Sequence, residues 1–121
     1  MTQENKNILC IDDDNDTCEL VKFVLQQEGL HVTACSTANE GLLCARKGNF
    51  QLIILDNRFH TTSGVEICEE IREFDKATPI IFFTGESRQA EIDKALDAGA
   101  NAYLVKPNDF EKLAGTVLEL I

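Results

Sequence analysis

Five short apolar runs recur at similar intervals along the chain: Ile8 to Ile11, Leu30 to Ala34, Leu52 to Leu55, Ile80 to Phe83 and Ala102 to Val105. The third and fourth are unbroken and rich in isoleucine, the pattern of strands covered on both faces. Between them the period changes to that of a helix. Cys18, Val21, Val24 and Leu25 form one stripe, and Ala38, Gly41, Leu42 and Ala45 the next. Gly64, Ile67, Cys68 and Ile71 follow, then Ile92, Ala95, Leu96 and Gly99. Phe110, Leu113, Ala114, Val117, Leu118 and Ile121 complete the set, and each group matches the i, i+3, i+4, i+7 template.

The residues between these segments agree with the periodicity. Asp14 to Asp16 offer caps for the first helix, and Gly29, Gly48 and Gly99 fall where helices stop. Thr37-x-x-Glu40 and Asn108-x-x-Glu111 have the form of capping boxes. The order is strand then helix, five times over, with no linker, repeat or low-complexity tract. Short right-handed crossovers then predict a doubly wound α/β fold, a (βα)5 parallel sheet with helices on both faces.

At 121 residues the chain is one domain long on a prior of about 150 residues each. Apolar residues make up 44% and charged residues 26%, as in ordinary globular proteins. No apolar stretch is long enough for a membrane span. The N-terminal MTQENKN lacks the basic-then-apolar layout of an export signal, which predicts residence in the cytoplasm. Eleven basic against 21 acidic residues give a net charge of −10, and Arg46-Lys47 is the sole adjacent basic pair. Direct nucleic-acid binding is therefore not expected. Five cysteines, an odd number without a C-x-x-C pair, argue against a disulfide framework or zinc site and read as small, mostly buried residues.

In an open α/β sheet, ligands bind beyond the carboxyl ends of the strands. The first run ends in Asp12-Asp13-Asp14, the third in Asp56, the fourth in Thr84-Gly85 and the fifth in Lys106-Pro107. Carboxylates a few Å apart repel by roughly 4 kcal/mol per pair at an effective dielectric near 20. Such a group recruits a hard cation or raises a pKa, and oxygen ligands with room for water suit Mg²⁺. A threonine hydroxyl and a lysine ammonium are partners for phosphate oxygens instead. The set is that of a carboxylate that becomes phosphorylated, with Asp56, alone at the end of a central strand, as the nucleophile.

Asp12-x-Asp14-x-Asp16 imitates a calcium loop, but Thr17 and Phe23 stand where glycine and glutamate are needed. Asp14 and Asp16 are read as helix-start residues, His31 as structural and His60 as a solvent-exposed loop residue. Neither G-x-G-x-x-G nor a P-loop occurs.

These residues resemble the receiver domain of two-component response regulators over nearly all of 1–121. The likeness is carried by I-D-D-D after the first run, L-I-I-L-D up to Asp56, Gly64 eight residues later, F-F-T-G around Thr84, A-L-D-A-G-A-N-A-Y, and L-V-K-P ending in Lys106-Pro107. The resemblance implies a chemotaxis-type receiver fold with strand order 2-1-3-4-5. It implies that Asp56 is the phosphoacceptor, charged from a phosphohistidine of a sensor histidine kinase or histidine phosphotransfer protein. Mg²⁺ (or Mn²⁺) would be held by Asp12, Asp13, Asp56 and the backbone carbonyl of Arg58. Thr84 and Lys106 would bind the phosphoryl oxygens, and Tyr103 would turn inward as the switch. The Lys106-Pro107 bond is expected to be cis. An output domain or a downstream protein would read the result. Such a domain is a stoichiometric phosphoacceptor that assists its own phosphorylation and dephosphorylation, and is not a turnover enzyme.

The sequence departs from the family after the acceptor. Asn57 to Ser63 replaces the usual apolar pair and Pro-Gly, which predicts an altered loop. Arg58 and Glu86 fall at two variable positions that influence phosphoryl lifetime in the family, and their opposite charges are expected to pair over the site and hinder water. Two other functions compete. A phosphorylation-independent docking module draws only on the altered loop. A haloacid-dehalogenase-type aspartyl-phosphate hydrolase needs a D-x-D-x-[TV] motif, and the final position here is Asp16.

Overall fold

The computed structural model describes residues 6–121, so most of the N-terminal stretch read for an export signal lies outside it. Five strands, β1 (Asn7–Ile11), β2 (His31–Cys35), β3 (Leu52–Leu55), β4 (Ile80–Thr84) and β5 (Ala102–Val105), alternate with helices. The helices are α1 (Asn15–Gln26), α2 (Ala38–Lys47), α3 (Gly64–Phe74), α4 (Gln89–Asp97) and α5 (Leu113–Leu120). All strand pairs are parallel, in the order β2-β1-β3-β4-β5.

The unbroken apolar runs follow from burial on both faces. Ile8, Cys10, Leu52, Ile54, Ile81 and Phe83 pack towards α1 and α5, against Val21, Leu25, Leu113 and Val117. Their strand neighbours Leu9, Ile11, Ile53, Leu55, Ile80 and Phe82 face α2, α3 and α4. Each side chain of this size gains about 1.5–3 kcal/mol on full burial. Four of the five cysteines are buried in these layers, and all five are free thiols. No helix among the described residues is long and apolar enough to cross a membrane.

Most predicted punctuation is present. Thr37 caps α2, its hydroxyl accepting from the Glu40 amide at 3.1 Å, and Asp14 caps α1. Gly29, Gly48 and Gly99 adopt positive φ. The second strand starts one residue later than its apolar run. The amide of Leu30 donates back to the Leu25 carbonyl at 3.1 Å, so Leu30 closes the C-terminus of α1 instead of entering the sheet.

One predicted cap fails. The Asn108 capping box does not form. Phe110–Lys112 is a single 3₁₀ turn leading into α5, and neither segment has a side-chain cap. The neighbouring carboxylate decides the geometry: Asp109 Oδ2 accepts from the Val105 amide at 2.9 Å, while its own amide donates to the Val105 carbonyl at 2.8 Å. This reciprocal pair ties the loop to β5 before a helix can start. The α4 stripe is also only partly covered, since Ala95 is buried while Leu96 is 45% exposed.

Candidate functional site

The strand order reverses between β1 and β3, and the crevice beyond their carboxyl ends gathers the acidic residues. Asp12 continues β1, its amide donating to the Cys35 carbonyl at 3.0 Å. Asp56 continues β3, its amide donating to the Ile11 carbonyl at 3.1 Å. The β1–β3 register, with Ile11 opposite Leu55, therefore brings these two residues side by side at the strand ends. Asp12, Asp13 and Asp56 can each offer an oxygen within 4.8 Å of the others, with Asp13 exposed and the other two buried. An all-oxygen, partly open donor set of this kind suits a hard divalent cation such as Mg²⁺.

Lys106 completes the group. Its amide donates to the Thr84 carbonyl at 2.8 Å, which sets the base of its side chain at the edge of β4. Its ammonium lies 2.9 Å from Asp12 Oδ2 and 3.9 Å from Asp56 Oδ2. It also sits 5.6 Å from the centroid of the Phe83 ring, within cation–π range. The Lys106-Pro107 bond is cis, as expected.

Burial raises the Asp12 carboxyl to about 6, with the Asp56 charge adding to the rise and the Asp14 amide and Lys106 opposing it. Lys106 is a single cation shared between two close carboxylates, and for Asp12 it does not offset the cost of burial. Asp56 is 8% exposed and divides its oxygens between two tasks. Oδ1 accepts from the Asn57 amide at 2.7 Å, whereas Oδ2 faces Lys106.

The altered loop after Asp56 is closed by its own residues. Arg58 and Ser63 form an antiparallel bridge, and the Ser63 hydroxyl caps α3. Asn57, which sequence reasoning passed over, is 6% exposed and binds the start of α3 twice. Its side-chain oxygen accepts from the Val65 amide at 3.2 Å, and its carbonyl accepts from the Gly64 amide at 3.0 Å. A polar residue at the foot of a loop bounded by a buried strand and a glycine-started helix is the signal that points to it.

Thr84 is fully buried at the end of β4, and its hydroxyl lies 3.4 Å from the Glu86 amide that donates to it. Tyr103 stacks on Phe82 with ring centroids 5.7 Å apart and donates its hydroxyl proton to the Glu86 carbonyl at 2.7 Å. Burial, reinforced by the Glu86 charge, pushes its phenol up to about 12. His60 and His31 are exposed, as read for His60.

The expected Arg58–Glu86 pair is present but secondary. Glu86 takes a two-pronged contact from Arg88, at 2.8 and 3.0 Å, and Arg58 stands off at 3.6 Å. Arg88 is two residues from Glu86 and needs no chain crossing to reach it, and the fork matches a carboxylate with both oxygens. The Arg88 hydrogen bonds hold the Glu86 carboxyl down at about 2. We expect Arg88→Ala to return this carboxyl towards the ordinary glutamate range and Arg58→Ala to move it much less. Side-chain carboxyl NMR titration reads the difference, and equal shifts would show that Arg58 holds it as firmly.

A family model for the response regulator receiver domain matches residues 8–118. The chain is 32% identical over 114 residues to the transcriptional regulatory protein YkoG of Bacillus subtilis, covering 94% of this chain and 50% of that protein. It thus spans about half, and in other cases about a quarter, of the length of curated relatives it matches. Among solved structures, the Vibrio cholerae chemotaxis protein CheY4 superposes with a TM-score of 0.89 at 28% identity, covering 98% of this chain and all of the other. The Thermotoga maritima response regulator TrrA, solved with Mg²⁺ and beryllofluoride, gives 0.87 at 35% identity over 96% of this chain and 99% of its own. A five-stranded sheet in this order, an acidic crevice at its switch point and these matches together place the chain in the receiver-domain family of two-component response regulators.

Proposed function

We propose that Asp56 is the phosphoacceptor of this domain and that Asp12, Asp13, Thr84 and Lys106 serve its phosphorylation. The observation that carries the reading is the convergence of three carboxylates within 4.8 Å beside one ammonium, 3.9 Å from the Asp56 oxygen that the backbone leaves free. Asp56 Oδ2 attacks phosphorus, the P–N bond to a histidine of the donor breaks, and the imidazole leaves with the electron pair. Lys106 is placed to meet the phosphoryl oxygens as their charge shifts, and Thr84 lies one strand over with a hydroxyl to donate. When bound, a Mg²⁺ (or Mn²⁺) ion at Asp12, Asp13, Asp56 and the Arg58 carbonyl would neutralise charge on the transferred group.

The donor is a sensor histidine kinase or a histidine phosphotransfer protein, and the setting is the cytoplasm. Drawing Thr84 towards the phosphoryl group would loosen its contact with the Glu86 amide and so disturb the segment that Tyr103 grips. A partner or output domain that binds one arrangement better reads the change. The domain takes up one phosphoryl group per chain, and the outcome is a signal and not a released product.

Acetyl phosphate with Mg²⁺ tests this. Intact mass is expected to rise by a single phosphoryl group in the wild type, and not in Asp56→Asn or with chelator. A wild type that gains nothing, and whose NMR spectrum ignores beryllofluoride, would instead support a phosphorylation-independent docking module.

A further inference from the structure

Lys106 has an acceptor that the acidic cluster does not account for. The Thr17 hydroxyl, on the first turn of α1, lies 3.3 Å from the Lys106 ammonium. Thr17 is only 8% exposed, although Asn15 and Asp16 beside it are open to solvent. A hydroxyl carries one proton and two lone pairs. Here the proton goes to Asp14 Oδ2 at 3.0 Å, so the face towards Lys106 is an acceptor. Asp14 is itself fixed, because its other oxygen caps α1 by accepting from the Asp16 amide at 3.1 Å.

An ammonium has three N–H bonds in tetrahedral array. One points to Asp12 Oδ2 at 2.9 Å and a second to Thr17 Oγ1. With two directions occupied, rotation about the Cε–Nζ bond is set, and one N–H stays uncommitted, with Asp56 Oδ2 3.9 Å from the nitrogen. Without Thr17, the ammonium keeps its attraction to Asp12 but loses this orientation and is free to turn against that carboxylate.

We propose that Thr17 is a positioning residue for Lys106, holding its ammonium aimed at the oxygen of Asp56 that accepts the phosphoryl group. This rests on the phosphoacceptor reading and adds a residue to it. Catalysis by an oriented charge depends on direction as well as distance, and a hydrogen bond to a charged group is among the stronger ones.

Thr17→Val keeps the shape and removes the acceptor, and Thr17→Ser restores the acceptor. Thr17→Val is expected to slow phosphorylation by acetyl phosphate and Mg²⁺ by roughly tenfold, and Thr17→Ser to recover most of the rate. In metal-free, unphosphorylated protein, the Lys106 ε-CH₂ resonances are expected to move in Thr17→Val and stay near wild type in Thr17→Ser. Thermal melting checks that both variants fold, and Thr17→Ala is read in the same assays if the valine variant does not. Equal rates and unmoved Lys106 resonances in the folded variant would overturn the assignment. A slowed rate that serine does not restore would overturn it too, showing a structural role. A wild type that takes up no phosphoryl group would sink the phosphoacceptor reading instead, while the Lys106 resonances still decide whether Thr17 orients the ammonium.

Discussion

Gly64→Ala is expected to lower the melting temperature by roughly 8–12 °C, whereas Gly115→Ala is expected to raise it by about 2–4 °C. Both glycines lie in helices, where alanine is favoured over glycine by about 0.5–1 kcal/mol. Their surroundings reverse the outcome. A Cβ on Gly115 meets nothing within 4 Å, so the helical gain stands alone. A Cβ on Gly64 would overlap the carbonyl oxygen of Asp56, and would also come within 2.8 Å of the Asn57 Cα and 2.9 Å of the Phe82 ring. Two of these are backbone atoms, which cannot step aside as the end of a flexible side chain can. Overpacking costs about 1–3 kcal/mol, and a backbone clash belongs near the top of that range, at roughly 4 °C per kcal/mol for a domain of this size. The strand end carrying Asp56 must move to relieve it. Phosphorylation should therefore slow together with the loss of stability. A Gly64→Ala protein that melts like wild type would show that the start of α3 yields without disturbing Asp56.

That close approach was legible in the sequence only as a glycine eight residues after an aspartate. The sheet was more fully legible, because burial on both faces writes itself as unbroken apolar runs such as Leu52 to Leu55. The acidic crevice could be read as well, since parallel strands deliver their final residues to one edge whatever the details of packing. Contacts between side chains obeyed a different logic. Lys106 meets Thr17 across 89 residues of sequence, and no period or spacing encodes that meeting. Position beside the site and opposite charge match Glu86 with Arg58, yet Arg88, two residues along the chain, reaches both of its oxygens. The start of α5 misled for a similar reason: Asn108 had the right form for a cap, but Asp109 was already committed to the backbone of β5.

Between pH 7 and about pH 5 the metal-free protein is expected to become more stable as the pH falls. Asp12 causes this, being 2% exposed with its carboxyl raised from 3.8 to about 6, first by burial and then by Asp56. At neutral pH Asp12 is ionised in both the folded and the unfolded chain, and the folded state bears the extra cost of that charge. As the pH drops through about 6, the folded state takes up its proton before the unfolded state does, and linkage makes folding more favourable. The gain is complete near the ordinary aspartate value and amounts to about 3 kcal/mol at most. Glu86, held at about 2 by Arg88, and the lowered Asp14, Asp75 and Asp109 act in the opposite sense. Their contributions are present above the normal carboxylate range and are lost below about pH 4.5, so stability should pass through a maximum near pH 5. The net charge of −10 at pH 7 also relaxes on acidification, and comparison with Asp12→Asn separates the two effects. That variant should be more stable than wild type at pH 7 without metal and should show a shallower slope. Saturating Mg²⁺ should remove the slope in the wild type, because a cation bound to the ionised carboxylates favours the charged state that burial opposes. Urea denaturation at pH 7, 6 and 5, with chelator and with Mg²⁺, provides the measurement. A metal-free stability that is flat or falls on acidification would mean that Asp12 is already compensated by Lys106, and that the crevice has no standing demand for a cation.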